Sequence, residues 1–111
     1  MVLIKHKINI YCEKPIYHKK FDYLNLIKNI KKKTKVIASI GFNSRELLQI
    51  RSEKKFKNGK DFLMVGAMGH TSMTSLAVSK FTKNDVVCLD GDGSFIMHLG
   101  ALTIMSNYRQ K

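Results

Sequence analysis

Three stretches of this sequence share one design. Each is a short apolar run, then a turn of glycine and small polar residues, then a helical pattern. The runs are Val36-Ile37-Ala38-Ser39-Ile40, Phe62-Leu63-Met64-Val65 and Val86-Val87-Cys88-Leu89. They are too short for buried helices, and the first and third are rich in β-branched residues, so they read as buried strands. The turns are Gly41 to Ser44, Gly66-Ala67-Met68-Gly69-His70-Thr71 and Asp90-Gly91-Asp92-Gly93-Ser94. Strands separated by single helices require crossover connections, and hence a parallel sheet with helices packed on it.

The helical stretches support this. Tyr23, Leu24, Ile27 and Ile30 share one stripe from Phe21, and Lys28 and Lys31 to Lys33 fall in the expected last turn. Asn43 and Glu46 have capping-box spacing ahead of a helix that runs to about Lys54. Lys55 to Lys60 read as a charged loop. Thr71 or Ser72 can cap a helix over Met73 to Phe81. Phe95 to about Asn107 reads as one helix, apolar nearly all round and therefore buried. The expected fold class is α/β, a three-layer αβα arrangement on a parallel sheet. In such sheets ligands bind at the carboxyl ends of the strands, where the three glycine turns gather. Residues 1–20 show no sustained period; they read as a tail or linker with room for one short strand at Val2 to Ile10.

Composition narrows the function classes. The 111 residues carry 20 Lys+Arg and 8 Asp+Glu, a net +12, with 44% hydrophobic residues. That is enough for a core in one small domain or part of a larger one. All of the excess charge lies in residues 1–60, which hold 16 Lys+Arg and 4 Asp+Glu. Lysines supply phosphate affinity but little base readout. No zinc spacing, aromatic RNA-binding segment or helix-turn-helix pattern accompanies them, so a solvated lysine face is favoured over a basic nucleic-acid-binding module. Cys12 and Cys88 lack CxxC spacing, and Cys88 reads as a small buried hydrophobe. No apolar run approaches the length of a membrane span and no signal-peptide pattern opens the chain, which leaves a cytoplasmic protein as the expectation.

The chemistry concentrates in the turns. A carboxylate at the end of a buried strand, between glycines, suits a hard cation such as Mg²⁺. The amides of Gly93 and Ser94 suit a phosphate. Together they would place a metal-bridged diphosphate, against the plainer reading of a capped turn. Arg45 could fork onto an anion, or be an exposed arginine in a first helical turn. Gly66 to Gly69 and His70 are weak signals singly, and His6, His18 and His98 have no partners at metal or catalytic spacing.

Taken together, Ile40–Leu47 (IGFNSREL), Phe62–Ser72 (FLMVGAMGHTS) and Val87–Leu102 (VCLDGDGSFIMHLGAL) resemble, in order and spacing, the thiamine-diphosphate (TPP) dependent 2-oxo acid decarboxylases. Within them the likeness is strongest to the phosphonopyruvate branch, then to sulfopyruvate decarboxylase β-subunits, with acetolactate-synthase-like enzymes further off. The resemblance implies that residues 21–111 are the N-terminal part of a TPP-binding domain, with 1–20 a tail or interdomain linker. It implies Asp92 as a Mg²⁺ ligand, and Gly91, Gly93 and Ser94 around the diphosphate with Gly41, Asn43 and Ser44 beside it. Gly66, Ala67, Met68, Gly69 and His70 would hold the organic part of thiamine diphosphate, the Met68 side chain keeping it bent. Arg45, His70 and Thr71 would stand near the substrate's anionic group.

The first turn departs from the phosphonopyruvate pattern, in which Thr-Gly-Lys-Thr precedes SRE. Here Phe42 and Asn43 stand in its last two places, which bears on substrate identity. The resemblance also implies an asparagine pair beyond Lys111 to complete the metal site, and an activating glutamate on a missing pyrimidine-binding domain or subunit. The expectation is therefore a fragment, inactive alone and belonging to a homo- or hetero-oligomer when complete. A non-functional truncated product is the alternative.

Overall fold

A computed structural model describes residues 2–4, 8–13, 20–53 and 60–108, with side chains over 24–53 and 60–108. The charged loop expected at Lys55 to Lys60 lies mostly outside the described residues, as do His6 and His18. The described elements are β1 (Val2–Ile4), β2 (Ile8–Glu13), α1 (Lys20–Asn29), β3 (Lys35–Ala38), α2 (Phe42–Glu53), β4 (Phe62–Leu63), α3 (Thr71–Phe81), β5 (Val86–Gly91), α4 (Asp92–Met97) and α5 (Gly100–Asn107).

The strands form one sheet in the order β1-β2-β5-β3-β4. β2, β3, β4 and β5 run parallel; β1 folds back antiparallel on β2. The first twenty residues thus contribute two strands, where sequence reading allowed a tail with one. Ile8 to Glu13 alternates apolar and polar residues only as far as Ile10, and its sheet partner, Val86 to Gly91, is far along the chain. A long-range pairing of that kind leaves little local signal.

Both faces of the sheet are covered, as a parallel sheet requires. Along β5 the side chains alternate. Val86 and Cys88 pack with Ile37, Met64, Leu76 and Met105 on the α3/α5 face. Val87 and Leu89 pack with Val36, Ala38, Ile27, Leu47 and Ile50 on the α1/α2 face. This is the three-layer αβα arrangement, and Cys88 is a buried free thiol.

Three helix expectations change. α1 stops at Asn29; Lys31 to Lys33 form a turn, in which the Thr34 amide bonds the Lys31 carbonyl and Lys31 pairs with Asp85. The expected capping positions shift. Asn43 lies inside α2 and its side chain donates to Ser39 instead, while α3 starts behind His70 with no side-chain cap. The single helix expected from Phe95 to Asn107 is two, α4 and α5, broken at His98-Leu99. Its outer face is not covered by the described residues: Ile96, Met97, Leu99 and Ile104 are exposed.

The connections place the site. After β3 the chain leaves through α2 on one face; after β5 it leaves through α4 and α5, and α5 packs on the other. β3 and β5 are neighbours. Adjacent parallel strands whose chains depart to opposite faces open a crevice at their carboxyl ends, where α/β sheets bind ligands.

Candidate functional site

The three glycine turns meet at that crevice. Beyond the last paired residues of β3, the ladder continues with the Ser39 amide donating to the Leu89 carbonyl at 2.8 Å. This brings Ser39 against the end of β5. Its hydroxyl oxygen accepts from the Gly91 amide at 3.0 Å and from Asn43 Nδ2 at 3.0 Å. Ser44 Oγ donates to the Ser39 carbonyl at 2.7 Å. One buried serine therefore joins the first turn to the third. Gly41, at φ +96°, lets the chain reverse into α2, with nothing within 4 Å of the space a Cβ would take. Arg45 stands exposed in the first turn of α2, its amide bonded to the Gly41 carbonyl.

The middle turn docks on α4. The Gly69 amide donates to Ser94 Oγ at 2.9 Å, and the Gly69 carbonyl lies 3.0 Å from His98 Nδ1. Gly66 and Gly69 both hold positive φ, +70° and +87°. Ala67 points down into the core. The half-exposed Met68 side chain lies over Gly93, its terminal methyl 3.2 Å from the position a Cβ there would occupy. His70 is exposed at the rim, edge-to-face with His98 at 5.5 Å between ring centres.

At the third turn, Asp92 opens α4 and its Oδ1 accepts the Gly93 amide at 2.8 Å. The expected diphosphate donor Gly93 N–H is thus turned onto Asp92, and Ser94 Oγ onto Gly69. Thr71, expected near a substrate anion, is fully buried at the start of α3, close to Asp90. Sequence reasoning passed over Asp90 and Ser39. Asp90 is 1% exposed. Burial pushes its carboxyl above the usual range, while Ser94, the Gly91 amide, Thr71 and Ser39 pull the other way. Its Oδ1 accepts the Gly91 amide at 3.1 Å; Oδ2 has no hydrogen-bond partner among the described residues. The available signal was a polar residue late in the first apolar run and one directly after the third.

Among the described residues no group of three His, Cys, Asp or Glu side chains could hold a metal. Asp92 would be one carboxylate ligand, which suits Mg²⁺ shared with phosphate oxygens rather than a cage built of protein alone. The bare faces at Gly41 and Gly66 leave backbone open to a ligand.

Residues 37–111 match the thiamine pyrophosphate enzyme family, in its C-terminal TPP binding domain. The chain belongs to this family. Three relatives within reach of it are curated enzymes. The sulfopyruvate decarboxylase subunit beta of Methanocaldococcus jannaschii is 29% identical over 97 residues, 86% of this chain and 49% of the relative. The subunit of the same name from Methanothermobacter thermautotrophicus is 43% identical over 67 residues, 60% of this chain and 34% of the relative. The phosphonopyruvate decarboxylase of Streptomyces viridochromogenes is 36% identical over 77 residues, 69% of this chain and 18% of the relative. The chain spans about half the length of the first of these and less of the others. No solved structure matches significantly. The matched residues take in all three turns of the crevice. No described helix is long and apolar enough to cross a membrane.

Proposed function

We propose that this chain is the thiamine-diphosphate- and Mg²⁺-binding part of a cytoplasmic 2-oxo acid decarboxylase that converts phosphonopyruvate to phosphonoacetaldehyde and CO₂. The observation that carries it is the convergence of three turns on one crevice, tied together by Ser39 and by the Gly69–Ser94 hydrogen bond. In this reading Asp92 supplies a carboxylate to Mg²⁺, with the cofactor's diphosphate as co-ligand. Gly91, Gly93 and Ser94 shape the diphosphate end, with Gly41, Asn43 and Ser44 alongside. The backbone of Gly66 to Gly69 meets the organic rings, and Met68 sets their bend. When bound, thiamine diphosphate supplies a nucleophilic carbon for the 2-oxo group and a sink for the electrons left as CO₂ departs.

This chain's residues would do the rest by position. The exposed Arg45 and His70 stand at the rim, placed to attract a dianionic substrate. Catalysis would need a pyrimidine-binding domain or subunit with an activating glutamate, so the chain would be inactive alone and would work in a homo- or hetero-oligomer. The 43% identity to a sulfopyruvate decarboxylase subunit beta favours a second reading, in which the anionic end is a sulfonate and the partner a separate subunit. The two are separated by offering phosphonopyruvate and sulfopyruvate, with TPP and Mg²⁺, to the complete assembled protein and measuring CO₂. Release from phosphonopyruvate alone is the expected result. Release from sulfopyruvate alone selects the second reading, and release from neither removes both.

A further inference from the structure

Gly69 is gripped at both of its backbone polar atoms by side chains of the neighbouring segment. Its N–H donates to Ser94 Oγ at 2.9 Å, and its carbonyl oxygen lies 3.0 Å from His98 Nδ1. With φ at +87°, a Cβ there would stand only 3.4 Å from Met97 Cβ, so this glycine sits directly on α4. The flanking residues, Met68 and His70, inherit their positions from it.

The chemistry of the second contact fixes a proton. A carbonyl oxygen only accepts, so His98 Nδ1 must carry the hydrogen, and in the neutral ring Nε2 is the bare acceptor. The same ring meets His70 at an interplanar angle of 79°. His98 also ends α4, its φ of −135° lying outside the helical range and its amide turned back to the Phe95 carbonyl at 3.3 Å. The break between α4 and α5 is what turns this ring toward Gly69.

We propose that His98 is a positioning residue of the site: its Nδ1–H holds the Gly69 carbonyl and thereby sets Met68 over the Gly93 turn and His70 at the rim. The link to cofactor affinity rests on the TPP reading above; the tautomer does not. The ring thus works as a fixed hydrogen-bond donor and never touches substrate.

Two measurements on the complete protein test this. The first is the ¹⁵N shifts of the His98 ring, at a pH well above the usual histidine value of about 6.5. Nδ1–H is expected, and an Nε2–H tautomer overturns the proposal. The second is thiamine diphosphate affinity in His98→Asn, His98→Gln and His98→Ala. An asparagine amide stands where Nδ1 does, whereas a glutamine amide reaches toward the Nε2 position. His98→Asn should keep wild-type affinity within about twofold, while Gln and Ala weaken it about three- to tenfold, the worth of one hydrogen bond. Equal losses in Asn and Gln, or no loss in Ala, contradict the proposal. If the wild type binds no thiamine diphosphate, the proposed function fails and the tautomer alone decides the inference.

Discussion

At Ser39 a single hydroxyl oxygen, 1% exposed with its residue, accepts from both the Gly91 amide and Asn43 Nδ2. Ser39→Ala removes the oxygen that both donors share, and should cost about 1–2 kcal/mol in urea denaturation. A loss under about 0.5 kcal/mol, the scale of a neutral surface change, would contradict this. Its polarity within Val36 to Ile40 is the one local mark of that serine; Asn43 lies four residues on, but Gly91 arrives from the neighbouring strand, 52 residues away. The pair of Lys31 and Asp85, 2.8 Å apart, works differently. Asp85 holds the lysine above its usual 10.5. The pair's contribution is therefore complete below that value and is lost as pH rises through the raised one. The Tm difference between wild type and Lys31→Met should be small and constant through neutral pH, and should close only above about 10.5.

Among the elements, β5 was the most legible. Val86 to Leu89 is apolar, short and flanked by turn residues, and both of its faces are buried. α4 and α5 were the least legible. Met97-His98-Leu99-Gly100 is compatible with a continuing helix, and the break goes with a contact between His98 and Gly69, 29 residues apart. The apolar outer face at Ile96, Met97 and Ile104 is exposed among the described residues; sequence reports hydrophobicity and not its covering. The glycine turns make a common demand. Gly41 and Gly69 both hold positive φ, though only at Gly69 would a Cβ have neighbours within 4 Å. Gly41→Ala should cost about 1–2 kcal/mol from backbone strain alone. Gly69→Ala should cost a similar amount, because its Cβ would meet Met97 at an ordinary contact distance of 3.4 Å and the strain is again in the backbone. A loss under about 0.5 kcal/mol in either variant would contradict this.

Among the described residues, one cluster of lysines stands apart from the site. Lys31, Lys32, Lys33 and Lys83 line an open pocket of about 260 Å³ before β3 and β5 begin, at the sheet edge opposite the crevice. The six residues of β5 put the two edges about 17–20 Å apart. That exceeds the screening length of about 8–10 Å at physiological salt. Lys32→Glu with Lys33→Glu should leave thiamine diphosphate affinity within about twofold, and a larger drop would show that the lysine pole acts on the site. At this scale the αβα layering and the gathering of the three turns are legible from the residues, because strand-turn-helix order is local. The two N-terminal strands are not, because β2's place beside β5 and β1's place on β2 are decided only by pairing.

The central claim is that the three turns form a Mg²⁺-dependent thiamine diphosphate site whose metal carboxylate is Asp92. Calorimetric titration of the complete protein with thiamine diphosphate, with and without Mg²⁺, tests it most directly. Binding should require Mg²⁺ and should fall at least about thirtyfold in Asp92→Ala, the scale of a lost metal-bridged charge contact. Binding of equal strength in Asp92→Ala, or binding indifferent to Mg²⁺, would contradict the account.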